Sequence, residues 1–443
     1  MFKYFFRKGC IWSTQAEQLH LHLHFMKSYI NKLTLFFILI NFFCFAQKQK
    51  KIATPKNIKS VQFEGVDNRD IFPIVELGEQ ITLQFDDLNA DEADYYYRIK
   101  HYNHDWTPSQ LFQNEYLEGY DNLRIENYIT SFNTLQHYTH YILKIPNQNV
   151  KLKVSGNYII EIYSAYNELV FSRRFCIYEN KSSVRAGVFR PQNMDRFNSH
   201  QSIHFSVTPK GHFFINPEEN IKIIILQNQQ WNEPITDIKP QFFNGNTLDY
   251  RYEKPTQFEG GNEYYFFDTK DLRITTPNIV YTNRTEQYES YLKTDIIRNL
   301  LDYSFAPDIN GNFKIRNVMR PGDSNTSEDY SFVYFSLAYP YELDQNEEIY
   351  IYGAFNNFEL SDLNKLYFNP SLEVYEGVLY LKQGFYNYKY VLNQKGILKK
   401  NALSGSHALT ENDYLILVYY RNIGAQYDAL VGIGRANSFE LQN

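Results

Sequence analysis

Apolar residues in this chain arrive in short runs of strand length, each closed by a turn signal, and that spacing constrains the fold more than any other feature. Residues 81–85 (Ile-Thr-Leu-Gln-Phe) alternate apolar and polar. The runs 95–99, 141–145, 158–163 and 169–178 follow, with Ser155-Gly156-Asn157 turning the chain between two of them. A period of two places alternate side chains on opposite faces of a strand, which suits a half-buried sheet and not a helix bundle. The aromatic load agrees: 39 Tyr and 35 Phe supply broad rings for pleated surfaces and ample apolar area for cores. With 43% hydrophobic and 21% charged residues the chain is not disordered, and 20 Gly and 15 Pro are too few for a collagen or linker composition. The expectation is all-β, as tandem immunoglobulin-like β-sandwich domains after a cleaved signal peptide.

Composition shifts divide the chain. Residues 55–179 predict an N-terminal sandwich ending at the polar stretch 179–183, and 184–325 a β-rich middle block. Within that block, residues 288–301 fit one helical face or an extended run, and Asn310-Gly311-Asn312 predicts a hairpin turn. The polar segment 320–329 reads as a linker. Residues 330–420 predict a third sandwich. In the tail, 421–443, Leu430-Val-Gly-Ile-Gly434 is either a last strand or part of a mobile end.

At the front, residues 33–45 form the one long apolar run, shorter than the ~20 residues that span a bilayer. Lys27 and Lys32 precede it and Cys44-Phe45-Ala46 closes it with small residues, the pattern of a secretory signal. Residues 1–46 are therefore read as an extension plus signal peptide, with Met26 a better start than Met1. The remainder carries 39 basic and 49 acidic residues, a net charge of −10. Such a surface gives no footprint for nucleic acid and no attraction to anionic lipid. The tract His20, His22, His24 and the thiols Cys10 and Cys44 leave with the signal. Cys176 remains, unable to form an intramolecular disulfide and read as a small buried hydrophobe.

Chemistry-bearing motifs are few. His101/His104 and His137/His140 have a spacing that shares a face on a helix, but on strands it points the rings apart, so no metal site is expected. The paired acids Asp86-Asp87 and Glu218-Glu219 diverge in the same way and read as solvated faces or turn caps. No nucleophile elbow, phosphate loop or dinucleotide fingerprint occurs, and no catalytic residue, cofactor or metal is expected. Asn180, Asn283 and Asn325 open glycosylation sequons of little weight. The polar-aromatic segment His104-Asp105-Trp106-Thr-Pro108-Ser109, followed by Glu115-Tyr116, has two readings. It either fixes a loop, with Asp105 capping and Trp106 packing, or presents anchors to a partner.

These residues carry a resemblance. Phe85-Asp-Asp-Leu88, Tyr97-Arg-Ile-Lys-His101, His104-Asp-Trp-Thr-Pro-Ser109, Glu115-Tyr-Leu-Glu-Gly119, Ser131-Phe-Asn-Thr134, Tyr138-Thr-His-Tyr141 and Ser155-Gly-Asn-Tyr158 closely resemble the N-terminal domain of the type IX secretion system plug protein family of Bacteroidetes. Phe258-Glu-Gly-Gly-Asn-Glu263 and Asp271-Leu-Arg273 are similar to the family's middle portion. Ile349-Tyr-Ile-Tyr-Gly353, Phe355-Asn356 and Gly384-Phe-Tyr-Asn-Tyr-Lys-Tyr390 resemble early-set immunoglobulin-like modules of carbohydrate-active enzymes, with Phe358 where those carry Trp. The family resemblance implies a non-enzymatic periplasmic component at the inner face of the outer membrane, monomeric on its own. Its partners would be the translocon β-barrel, whose periplasmic mouth it occludes, and associated secretion components. The module resemblance leaves an alternative, a glycan-binding accessory protein using Phe358, Tyr386 and Tyr388.

Overall fold

Alternation at residues 81–85 becomes part of a strand, Ile81–Asp87, whose Ile81, Leu83 and Phe85 are buried. The computed structural model describes residues 54–442 except 67–69, 71, 212 and 319–324, so the expected signal segment at 33–46 lies outside the described residues. Ile81–Asp87 sits in a four-stranded sheet between Ile58–Glu64 and Thr139–Ile145, with Tyr128–Thr130 at the edge. Facing it is a five-stranded sheet ordered Ile74–Glu76, Leu169–Tyr178, Gly156–Ser164, Tyr95–Tyr102, Leu123–Arg124. Their inner faces close one core, where Phe85 stacks on Tyr141 at 5.0 Å and meets Phe171 edge-on at 5.2 Å. The two sheets thus face each other as a sandwich.

The middle of the molecule is built across a long stretch of sequence. Ser182–Phe189, His200–Pro209, Thr247–Tyr250 and Phe242–Asn244 form one sheet. It packs on a three-stranded sheet of Ile221–Gln227, Asp413–Tyr420 and Ala429–Asn437. That small sheet is covered on both faces. Ile223, Ile225, Ile416 and Val418 enter the middle core, while Ile224, Leu226, Leu415, Leu417, Tyr419 and Leu430 pack against Phe72, Ile74 and Cys176 of the N-terminal sandwich. Double coverage explains why residues 223–226 and 414–420 are apolar at successive positions.

The third core lies between a six-stranded sheet centred on Tyr330–Ala338 and Val374–Lys382 and strands that pair with Gly384–Gln394. One of those partners, Tyr265–Asp268, comes from the middle block. Ile279–Arg284 and Tyr288–Leu292 pair as strands beside Tyr330–Ala338, so 288–292 is extended.

Strand pairing thus crosses the boundaries expected at 325/330 and 420. Strand 413–420, assigned by sequence to the third block, completes the middle sandwich. The tail supplies Ala429–Asn437, hydrogen-bonded along Asp413–Tyr420. Contact in space, not proximity in sequence, selects the partner of a strand. Asn310-Gly311 does make a turn, with both residues at positive φ and Asn312 N–H bonded to the Ile309 carbonyl. Its arms do not pair with each other: Phe313–Ile315 pairs with Gly384–Gln394.

Candidate functional site

The densest polar chemistry among the described residues lies at the seam between the N-terminal sandwich and the third core. Asp86 and His140 are cross-strand neighbours on one side; Tyr330 and Lys382 are cross-strand neighbours on the other. The two pairs meet face to face. His140 Nδ1 lies 2.6 Å from Asp86 Oδ1, Lys382 Nζ 2.7 Å from Asp86 Oδ2, and the Tyr330 hydroxyl donates to Asp86 Oδ2 at 2.6 Å. Ser60 Oγ is 2.7 Å from the Tyr330 hydroxyl, and Lys382 also donates to the Asn325 carbonyl while lying 4.2 Å from the Tyr138 ring centroid. None of the four central residues is more than 2% exposed.

Burial alone would push the Asp86 carboxyl up. The Lys382 charge and the hydrogen bonds from His140 and Lys382 outweigh that and hold it below the usual carboxylate range. A buried ion with all these partners is locked; removing one partner strands the others without water. The arrangement ties two sheets together and offers no opening to a substrate. The seam continues nearby. Asp329 accepts backbone N–H groups of Leu135 and Gln136 at 2.7 and 3.1 Å, and Tyr138 donates to the Glu328 carbonyl at 2.9 Å. Residues 325–329, read from composition as linker, are packed here because their carbonyls and carboxylates serve the neighbouring sandwich.

The segment 104–116 acts at a second seam, onto the three-stranded sheet. His104 Nδ1 lies 2.6 Å from Asp428 Oδ2, and Arg421 donates to Asp428 Oδ1 at 2.7 Å. Burial raises the Asp428 carboxyl, but His104 and Arg421 together hold it at about 2. Asp105 caps its own loop by accepting from Thr107 N and Oγ1, and Pro108 bridges back to Tyr102. Trp106 adopts φ 64°, packs edge-on to Trp231 at 4.9 Å and lies beneath the Arg174 guanidinium at 4.3 Å. Glu115 closes a helical turn by accepting from Phe112 N at 2.7 Å, and Tyr116 is buried with its hydroxyl on the Ile99 carbonyl. Of the two readings of this segment, these contacts are those of the loop-fixing one. A third tie, Arg435 bidentate on Asp70 at 2.7 Å, joins the same two bodies, with Gln229 donating to Asp70.

Several expected site residues lie elsewhere. Phe358, Tyr386 and Tyr388, expected on a glycan or partner surface, are buried. Tyr386 donates to the Lys382 carbonyl and Tyr388 to Asp295 at 2.6 Å, and Phe358 packs on Tyr352. Tyr386 and Tyr388 lie on Gly384–Gln394 and Phe358 in a turn that packs beside it, so rings that suggest a sugar platform in one dimension form a core in three. Asp86 and Asp87, expected as solvated or capping, are both fully buried. Asp87 does cap, accepting from Asn89 N, but it also accepts the Tyr95 hydroxyl inside the sandwich. Glu218 and Glu219 are exposed in a helical turn, as expected. The paired histidines diverge: His101 faces the Ser155 carbonyl at 3.1 Å while His104 faces Asp428. Sequence reasoning missed Lys382 and Tyr330 entirely. A lysine closing an apolar strand was the available signal, but its partner lies almost 300 positions away.

Sandwiched sheets joined at seams by ion pairs on buried carboxylates define a multi-layer all-β protein whose conspicuous polar residues bond to one another. Residues 58–179 match the family described as type 9 secretion system plug protein 1st domain. A crystal structure of a hypothetical protein from Parabacteroides merdae is similar over 88% of this chain and 100% of its own, with 30% identity and a TM-score of 0.83. Trypsin-activated alpha-2-macroglobulin from Escherichia coli aligns over 88% of this chain and 24% of its own at 7% identity and TM-score 0.16, which carries no weight. No curated protein matches the chain. The chain therefore carries, at residues 58–179, the first domain of the type IX secretion system plug protein family, the family its N-terminal motifs resemble. No helix among the described residues is long and apolar enough to cross a membrane.

Proposed function

We propose that the protein acts from the periplasm, at the inner face of the outer membrane, by occluding the periplasmic mouth of the type IX translocon barrel when no substrate or partner occupies it. The match of residues 58–179 to that family's first domain carries this reading. A wide aqueous pore leaks unless a body fills its mouth, and such a body works by keeping its form. The ties of Asp86 with Lys382, Asp428 with His104 and Asp70 with Arg435 suit that task, because each joins the N-terminal sandwich to a neighbouring part of the molecule that could otherwise slide. The acidic surface suits a partner other than anionic lipid. Reversible release calls for an interface with its energy in a few anchors and a polar rim.

The test is affinity purification of the tagged protein from its native envelope, together with uptake of small hydrophilic dyes by a deletion strain. The barrel is expected among the enriched proteins, and dye entry is expected to rise when the protein is lost. Purification without the barrel, or an equally tight envelope around a vacant barrel, would overturn the reading.

A further inference from the structure

Where the middle sandwich meets the third core, a cavity of about 610 Å³ is walled by the loops after Ile221–Gln227 and Gln257–Glu259, by Lys389 on Gly384–Gln394, and by residues 398–402. That volume suits a small-molecule site. Its carboxylates are already engaged. Glu233 pairs with Lys400 at 3.1 Å, and Glu259 accepts from Asn401 at 2.8 Å. Glu411 accepts from Asn310 and Asn437, and Asp308 from the backbone N–H groups of Tyr264 and Asn310.

Lys389 differs. It is 6% exposed, yet its ammonium donates to a neutral amide, Asn401 Oδ1 at 3.1 Å, and rests 5.0 Å from the Tyr264 ring centroid. Among the described residues no carboxylate lies within 4.0 Å of it. An ammonium has three donors, and burying one without an anion is costly. Amides and a hydroxyl fill much of the remaining wall, including Asn228, Gln230, Asn401 and Ser406; they bond to Asn412, the Tyr264 hydroxyl, Glu259 and the Ser199 carbonyl, so a ligand hydroxyl would share or displace those bonds.

We propose that this cavity binds a small hydroxylated molecule bearing one carboxylate or phosphate, with the anion on Lys389 and the hydroxyls on the amide-lined wall. The site is independent of any contact with the translocon. Burial, with Lys400 and Arg298 nearby, brings the Lys389 ammonium down to about 7, against the weaker opposing pull of Asp308 and Glu233. A bound anion restores the charged form, so binding above neutral pH takes up a proton.

Isothermal titration of the purified chain with D-glucuronate, glucose 6-phosphate and uncharged D-glucose tests this. One or both anions are expected to bind at least tenfold more tightly than glucose, and the preferred one identifies the acid. At pH 8 the heat should vary with the ionisation enthalpy of the buffer. Lys389→Met should weaken the anion at least tenfold without lowering the thermal midpoint, and Lys389→Gln should do the same while keeping a polar side chain in place. No heat from either anion at millimolar concentration, equal binding of glucose, or undiminished binding by a folded Lys389 variant would overturn the assignment.

Discussion

Asp86 shows what a single charge costs and supplies inside this protein. Its two oxygens receive His140, Lys382 and Tyr330, so Asp86→Ala would leave the Lys382 ammonium buried without a counter-ion. The expected loss is about 3–5 kcal/mol in urea unfolding, the usual cost of breaking a buried pair from one side. Asp86→Leu combined with Lys382→Met should recover part of it, since no charge is then stranded although His140 Nδ1 and the Tyr330 hydroxyl still lose their acceptor. His101 gives a pH signature. Burial, against the hydrogen bond to the Ser155 carbonyl, holds its imidazole down to about 4. Between the ordinary value near 6.5 and 4 the unfolded chain binds the proton and the native one does not. Stability is therefore lost as the pH falls through that window, by roughly 3 kcal/mol from this residue. His101→Gln should flatten that part of the stability–pH curve, and an unchanged slope would place the titration elsewhere. Neither role is legible in sequence, because each depends on a buried position that only the packed sheets create.

Among the elements, Gly156–Ser164 begins on a residue with φ 138°, where a Cβ would stand 2.4 Å from His101 Nε2. Gly156→Ala should cost on the order of 2 kcal/mol, since strain and a clash with a confined ring act together. The three-stranded sheet is the element on which the rest leans. Removing residues 421–443 deletes Ala429–Asn437 and uncovers Asp413–Tyr420 along its length. The truncated chain should then be insoluble, or bind a hydrophobic dye that the full chain ignores, as sedimentation and fluorescence would report. Alternation at 81–85 announced its strand plainly. The apolar stretches 223–226 and 414–420 are of strand length too, but nothing in them says that they are neighbours, because pairing is a long-range contact that no local pattern encodes.

Across the molecule, several of the residues that carried the family resemblance fall on the seams, while others, among them Phe85, Tyr97, Tyr141 and Tyr158, fill the N-terminal core. Asp86, Tyr138 and His140 face the third core, and His104 and Trp106 face the three-stranded sheet. Cys176 lies in the second seam, fully buried, with its thiol pushed up by burial and its Sγ 3.0 Å from Asn157 Oδ1. In a chain beginning at Gln47, Cys176 is the single thiol and thus reports that seam. It should resist a thiol reagent in the intact protein and react readily in the segment 47–180, which lacks the covering sheet. Equal protection in both would mean that the N-terminal sandwich closes over it alone.

The all-β class and the likeness of residues 58–179 to the plug family's first domain were legible in the sequence, because side-chain period, turn residues and ordered motifs are local properties of the chain. Which strands share a sheet, why Tyr386 and Tyr388 are core and not surface, and which partner neutralises Asp86 were decided by tertiary structure. Burial and ion pairing join residues hundreds of positions apart, and the free energy that selects those joins arises only when the layers close.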